Sequence, residues 1–282
     1  MDNVAEKSKL ASKQATQSKL EDEGFIDWSA LTSVNIAGRQ LALILVVAVV
    51  VVIGMEIAVV IFRVPSYVFP RPSEIAGALV NNFPTVWPHL LVTLQQLIIG
   101  YTIGAAIGIL LAAIVTQFPI VEKIITPYIL ILVTTPMLAL VPLLILRFGF
   151  GMTPRIIAIA LAVGPMVMIN SATGFRRTDS AKIALARSYG ASTLQIFTKV
   201  RFPLALPMII VGLMVGGIFG LLTCVGAEMV GGGEGLGTRL TYYSSLARMA
   251  SFFSVILIIA VIGITIYVIF YFVGKRWASW EA

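Results

Sequence analysis

Six stretches of this chain run apolar for about 20 residues or more: 41–62, 89–117, 124–146, 155–175, 204–226 and 252–273. A helix needs about 20 apolar residues to cross the roughly 30 Å hydrocarbon core of a bilayer. Of the 282 residues, 59% are hydrophobic and 12% charged, against about 45–50% and 25% in soluble domains. So little charge could not cover the surface of a soluble enzyme, and so much apolar content excludes a disordered chain. The expected fold is an all-α membrane protein with six transmembrane helices. Cys224 is the lone cysteine and His89 the lone histidine, so a disulfide framework, a cysteine zinc cluster and a histidine-based metal site lack material. The catalytic and metal sets are therefore expected to be empty.

The runs differ in ways that predict local structure. The second is long enough to tilt or to project from the bilayer. The third carries Pro136 and Pro142, which predict a kink or a break. Gly100, Gly104 and Gly108 repeat at intervals of four in the second run, and Gly212, Gly216 and Gly220 do so in the fifth. Small residues at that spacing let helix backbones approach closely, with the partner helix in this chain or in another.

Residues 1–40 form a polar tail ahead of a transmembrane domain at 41–282. Within the tail, 1–23 read as disordered. Phe25, Ile26, Trp28, Leu31 and Val34 follow at roughly helical spacing. They suit either a short solvated helix or one lying on the membrane, and Trp28 favours the second because indoles settle at the headgroup level. The first apolar run starts too far in, and is too long, for a signal peptide.

Six spans put both termini on one side. Fourteen of the 20 Lys and Arg fall on that side, and six (Arg63, Arg71, Arg147, Arg155, Arg239 and Arg248) fall on the other. Cytoplasmic loops carry the excess of Lys and Arg, so both termini are expected in the cytoplasm. The net charge of +7 is thus an orientation signal and not a sign of nucleic-acid binding.

Few polar groups lie within the runs. Glu56 sits inside the first, where a carboxylate is costly and a functional candidate by default; pairing with a neighbouring helix is the plainer reading. Glu228 ends the fifth run and either faces the mouth of a pathway or stabilises the following loop. Thr134, Thr135, Met137 and Asn170 lie mid-span and, with Glu228, form the candidate substrate pathway. His89 reads as an interfacial residue at the start of the second span, and Cys224 as a packing residue. Gly231-Gly232-Gly233-Glu234-Gly235-Leu236-Gly237 reads as a flexible external loop. It lacks the Lys of a phosphate-binding loop, and no G-x-x-x-x-G-K-[ST] pattern occurs in the chain.

The connection between the fourth and fifth runs, 176–203, is the most informative segment. It reads as two short helices around Gly190. Asp179 favours the start of the first, Gly190 supplies its cap, and Ser192 with Gln195 forms a capping box opening the second. Its apolar positions and six basic residues suit a docking element for another protein.

Here the chain resembles the permease subunits of binding-protein-dependent ABC importers. Their signature reads Glu-Ala-Ala, three residues, Gly, nine residues, Ile, one residue, Leu-Pro. Ala186, Gly190 and Pro203 match it; Val200 and Phe202 replace the Ile and Leu; Ala184 stands in place of the Glu and Leu185 in place of the first Ala. Phe69-Pro70-Arg71-Pro72-Ser73-Glu74, Val141-Pro142-Leu143-Leu144-Ile145-Leu146-Arg147-Phe148-Gly149, and Ala227-Glu228-Met229 leading to Gly235-Leu236-Gly237 are similar to motifs of the nitrate/sulfonate/taurine subgroup.

The resemblance implies the type I importer permease (MetI-like) fold in a bacterial inner membrane, surrounded by lipid. It implies a second permease chain (a homodimer in the subgroup), two ATPase subunits and an external substrate-binding protein. The permease itself is then not an enzyme and holds no cofactor; ATP and Mg bind to the ATPase. Ala184, Leu185, Ala186, Arg187, Gly190, Ala191, Val200 and Pro203 would form the coupling site. The alternative is a secondary transporter or channel acting alone, which would call for paired charges and broken helices in both halves.

Overall fold

A computed structural model describes residues 38–277. The proposed interfacial helix and the polar stretch before it lie outside the described residues. All the regular elements among the described residues are helices. Its elements are α1 (Gly38–Ile61), α2 (Pro72–Gln117), α3 (Pro119–Thr134), α4 (Met137–Phe148) and α5 (Met152–Arg176), then α6 (Ser180–Ser188) and α7 (Thr193–Ile196), a π-helical turn (Phe197–Arg201), α8 (Phe202–Gly231), α9 (Leu236–Ser245) and α10 (Met249–Trp277).

Five of these are long and apolar enough to cross a membrane, and the count is six if α3 and α4 together make one broken span. The expected second span is longer than its apolar run. Proline suits a first helical turn, and α2 begins at Pro72, where the Arg71 N–H donates to Glu74 Oε2 at 3.2 Å. The helix then continues through Pro84 and Pro88. His89 therefore lies well inside a helix and not at its start.

The predicted break in the third span is present. α3 and α4 meet at an angle of 96°. Thr135 is extended (φ −77°, ψ 124°), the conformation a following proline imposes. Thr134 and Thr135 turn their hydroxyls back onto the carbonyls of Leu130 and Ile131, at 2.9 and 2.7 Å. Pro142 remains inside α4 without breaking it.

Both glycine stripes pack against one helix of the same chain, α5. A Cβ at Gly100 would lie 2.7 Å from Ile159 Cβ, and one at Gly104 would lie 2.7 Å from the Ala160 carbonyl. On α8, a Cβ at Gly212 would lie 2.8 Å from Asn170 Cβ, and those at Gly216 and Gly220 would each lie 2.9 Å from a valine Cγ of α5. Close approach from both sides makes α5 the centre of the bundle: Ile159, Val163 and Val167 are fully buried there.

Glu56 is tied structurally. Its carboxylate accepts from the Ser73 N–H at 3.0 Å and the Ser73 hydroxyl at 2.8 Å, at the N-terminus of α2, where negative charge is favoured. The helix α9 follows the fifth span and was absent from the sequence expectation.

Candidate functional site

α8 has an irregular segment at each end. Thirty residues at 1.5 Å rise hold the two about 45 Å apart.

At its C-terminal end the glycine-rich loop is anchored by side chains from three helices. The first N–H groups of a helix have no partner within it. In α9 these are taken one by one. The Gly235 N–H donates to His89 Nδ1 at 3.0 Å, Leu236 N–H to Thr93 Oγ1 at 2.9 Å, and Gly237 N–H to Glu228 Oε2 at 2.8 Å. The Thr93 hydroxyl donates in turn to Glu228 Oε1 at 2.8 Å. Because His89 accepts at Nδ1, its proton resides on Nε2. Arg155, at the start of α5, donates Nη1–H to the Glu234 carbonyl at 2.8 Å and Nη2–H to the Gly232 carbonyl. Thr93 and Glu228 are fully buried and Arg155 is 4% exposed.

This corrects the flexible-loop expectation. Gly232, Gly233 and Gly235 adopt φ of +63°, +80° and +119°, which aims backbone groups at the buried side chains. A Cβ at Gly237 would collide with the Val225 carbonyl, and one at Gly235 with the Glu228 carboxylate. Glycine is here a condition of close packing. Arg155, counted above only among the six basic residues on the side opposite the termini, is an internal tie. Cys224 packs beside Thr93 and Glu228, its Sγ 3.8 Å from the Thr93 carbonyl.

At the N-terminal end stands the hairpin. Asp179 caps α6 by accepting from the Ala181 N–H at 2.8 Å. The helix closes with the Ala191 N–H on the Ala186 carbonyl (3.1 Å) and the Gly190 N–H on the Arg187 carbonyl (2.9 Å), the paired bonds of a Schellman cap. Gly190 has φ +74°. Ser192 and Gln195 form the expected capping box.

α6 buries no residue. Ala184 and Arg187 are exposed, Ala186 and Ala191 half-buried, and Leu185, Tyr189 and Leu194 are 59%, 84% and 72% exposed. Val200 and Pro203 are half-buried where the hairpin joins α8. The coupling candidates thus share one local structure.

The pathway candidates do not converge. Thr134, Thr135 and Met137 flank the α3–α4 break. Asn170 donates to the Met166 carbonyl at 2.8 Å, about 22 Å along α5 from the level of Arg155 and Glu228 at 1.5 Å per residue. Among the described residues, no hydrogen bond joins these groups. The polar roles of Arg155, Thr93 and His89 were missed. The available signal was an arginine and a glutamate in a chain otherwise sparing with intramembrane charge.

The model of the "Binding-protein-dependent transport system inner membrane component" family matches residues 104–279, a segment holding α5, the hairpin and the anchored loop. The chain belongs to that family. It is the transmembrane permease subunit of an ABC importer, of the nitrate/sulfonate/taurine type. A probable ABC transporter permease protein of Haemophilus influenzae is 29% identical over 81% of this chain and 93% of its own length. The taurine transport system permease protein TauC of Escherichia coli is 30% identical over 74% of this chain and 76% of its own. The riboflavin transport system permease protein RibX of Chloroflexus aurantiacus is 27% identical over 77% and 82%.

Two solved structures share the fold. An amino acid ABC transporter superposes with a TM-score of 0.57 at 22% identity, over 70% of this chain and 96% of that one. The inward-facing MetNI methionine ABC transporter gives 0.55 at 21% identity, over 71% and 94%. The type I importer permease fold is thereby established for this chain, and multiple apolar helices make it a multi-pass membrane protein.

Proposed function

We propose that this permease pairs with a second copy of itself, docks two ATPase subunits through the α6–α7 hairpin, and receives a small solute from an external binding protein. ATP and Mg are then held by the ATPase, and this chain supplies the pathway and the coupling surface. The observation that carries the reading is the hairpin: a capped, ordered helix that buries none of its side chains and presents Leu185 and Tyr189 outward. Capping energy spent on a helix that leaves seven of its nine residues exposed makes sense if another protein covers it. The basic residues on the same side support a cytoplasmic hairpin and cytoplasmic termini.

The broken α3–α4 pair supports a pathway beside Thr134, Thr135 and Met137, because irregular backbone at membrane depth is tolerated where it is buried in protein or lines a watery cavity. Asn170 remains a pathway proposal on its half-burial. Of the two roles weighed for Glu228, its full burial supports the loop anchor. The relatives' names divide between sulfonates and riboflavin, which supports specificity resting in the binding protein; sulfonates are the first ligands to screen.

Gly190→Val tests the docking role. A β-branched residue at φ +74° is strongly disfavoured, so the turn is lost. In the reconstituted complex, stimulation of ATP hydrolysis by loaded binding protein should fall to the unstimulated rate. Full stimulation in that variant contradicts the reading. A reporter at Gly233 should read external; a cytoplasmic signal overturns the orientation.

A further inference from the structure

The hairpin does not end in a loop. From Thr193 to Gly231 the chain is one continuous helical rod of 39 residues, and within it Phe197–Arg201 form a π turn. The Phe202 N–H donates to the Phe197 carbonyl, five residues back, where an α-helix would use Thr198.

The sequence holds the chemical reason. In an α-helix the N–H of residue 203 would bond the Lys199 carbonyl. Pro203 has no N–H, and its ring presses on the carbonyl four residues back. Widening the preceding turn relieves that contact while the rod stays unbroken. The turn is also gripped from outside. The buried Phe175 ring, at the end of α5, lies 5.1 Å from the Phe197 ring and 6.3 Å from the Phe202 ring, so both ends of the turn are held against the central helix.

A π turn takes up one extra residue in the helical ladder, and each α-helical residue contributes about 100° of rotation. The turn therefore sets α7 about 100° away from where an uninterrupted helix of the same sequence would carry it. In the phase observed, Ile196 is 5% exposed and packs inward, while Leu194 is 72% exposed. A rotation of that size would lift Ile196 off the bundle and re-aim the face that carries Leu194.

We propose that Pro203 is a positioning residue for coupling. Through the π turn it fixes the rotational phase between α7, on the ATPase-docking hairpin, and α8, the span that must move. The inference rests on the docking reading above and adds how the docked element is tied to the span.

The test uses the complete complex with its ATPase and binding protein. Pro203→Ala restores the missing N–H, so the turn relaxes to α-helix and the phase shifts. Stimulation of ATP hydrolysis by loaded binding protein, and transport with it, should be lost. The decisive variant adds deletion of Thr198 to Pro203→Ala. It removes the extra residue, and an uninterrupted α-helix then has the original phase. Thr198 is exposed and its hydroxyl bonds only the Leu194 carbonyl at 2.8 Å, so the deletion removes no packed side chain. This double variant should recover at least half of the original stimulation, even if Pro203→Ala alone fails to assemble. Full stimulation in Pro203→Ala, or a double variant that remains unstimulated or unassembled, overturns the inference. A Gly190→Val variant that stays fully stimulated refutes the docking reading instead, so the two failures are separable.

Discussion

The two ends of α8 solve the same problem in opposite ways. Both must turn the chain between helices and satisfy the free backbone groups that result. At the glycine-rich end, partners come from distant elements: His89 and Thr93 of α2 and Glu228 of α8 meet the N–H groups that open α9, and Arg155 of α5 holds the carbonyls of Gly232 and Glu234 in the loop before it. At the hairpin end the bonds are local, within about five residues, through Asp179, Gly190, Ser192 and Gln195. One end is completed by its own chain. The other is complete as backbone and open as surface. That difference marks which end is built to meet a partner, because surface left open at no structural gain has to be accounted for by function.

Glu228→Ala should break the contrast most severely. It strands the buried Gly237 N–H, which costs roughly 1–3 kcal/mol, and adds the loss of the shorter Thr93 bond, leaving that hydroxyl only the His89 carbonyl at 3.1 Å. A large fall in melting temperature of the purified permease is expected, and an unchanged value would mean the anchor carries no stability. Arg155→Lys comes next. Lysine keeps the charge but not the planar fork that reaches two carbonyls, so a loss of about 1.5–3 kcal/mol is expected, with faster amide exchange over 231–237. Ser192→Ala removes one cap, worth about 1 kcal/mol, and the change should be confined to exchange rates in the hairpin. Smallest in stability is Leu185→Ser with Tyr189→Ser. Exposed substitutions shift stability by within about 0.5 kcal/mol, yet retention of the ATPase during purification should be lost. A marked loss of thermal stability there would mean that Leu185 and Tyr189 pack on their own bundle after all.

Much of the fold was legible because it is written locally. Twenty-residue apolar runs, proline at a break, and a Ser-x-x-Gln box each act within a few residues, so the spans, the α3–α4 break and the hairpin all follow from sequence. The glycine stripes predicted close packing, but only the structure shows that both converge on α5, since spacing says nothing of the partner's identity. The anchored loop was misread for a related reason. Glycine density looks like freedom when the partners are invisible, and here Thr93 and Glu228 lie 135 residues apart. Arg155 entered only the orientation count, because a charge at a span boundary carries no local sign of being buried. The start of α2 was missed because its first part is polar enough to fall outside an apolar window while keeping a proline start and a capping glutamate.

The most direct measurement of the central claim is site-specific cross-linking at the two ends of α8. With Cys224→Ala as background, single cysteines at Leu185 and at Gly233 would be treated with a short bifunctional reagent in the assembled importer. The account predicts that the Leu185 position links to the ATPase subunit and that the Gly233 position does not. An ATPase adduct formed from Gly233, or none from Leu185 in a complex that hydrolyses ATP on stimulation, would contradict it.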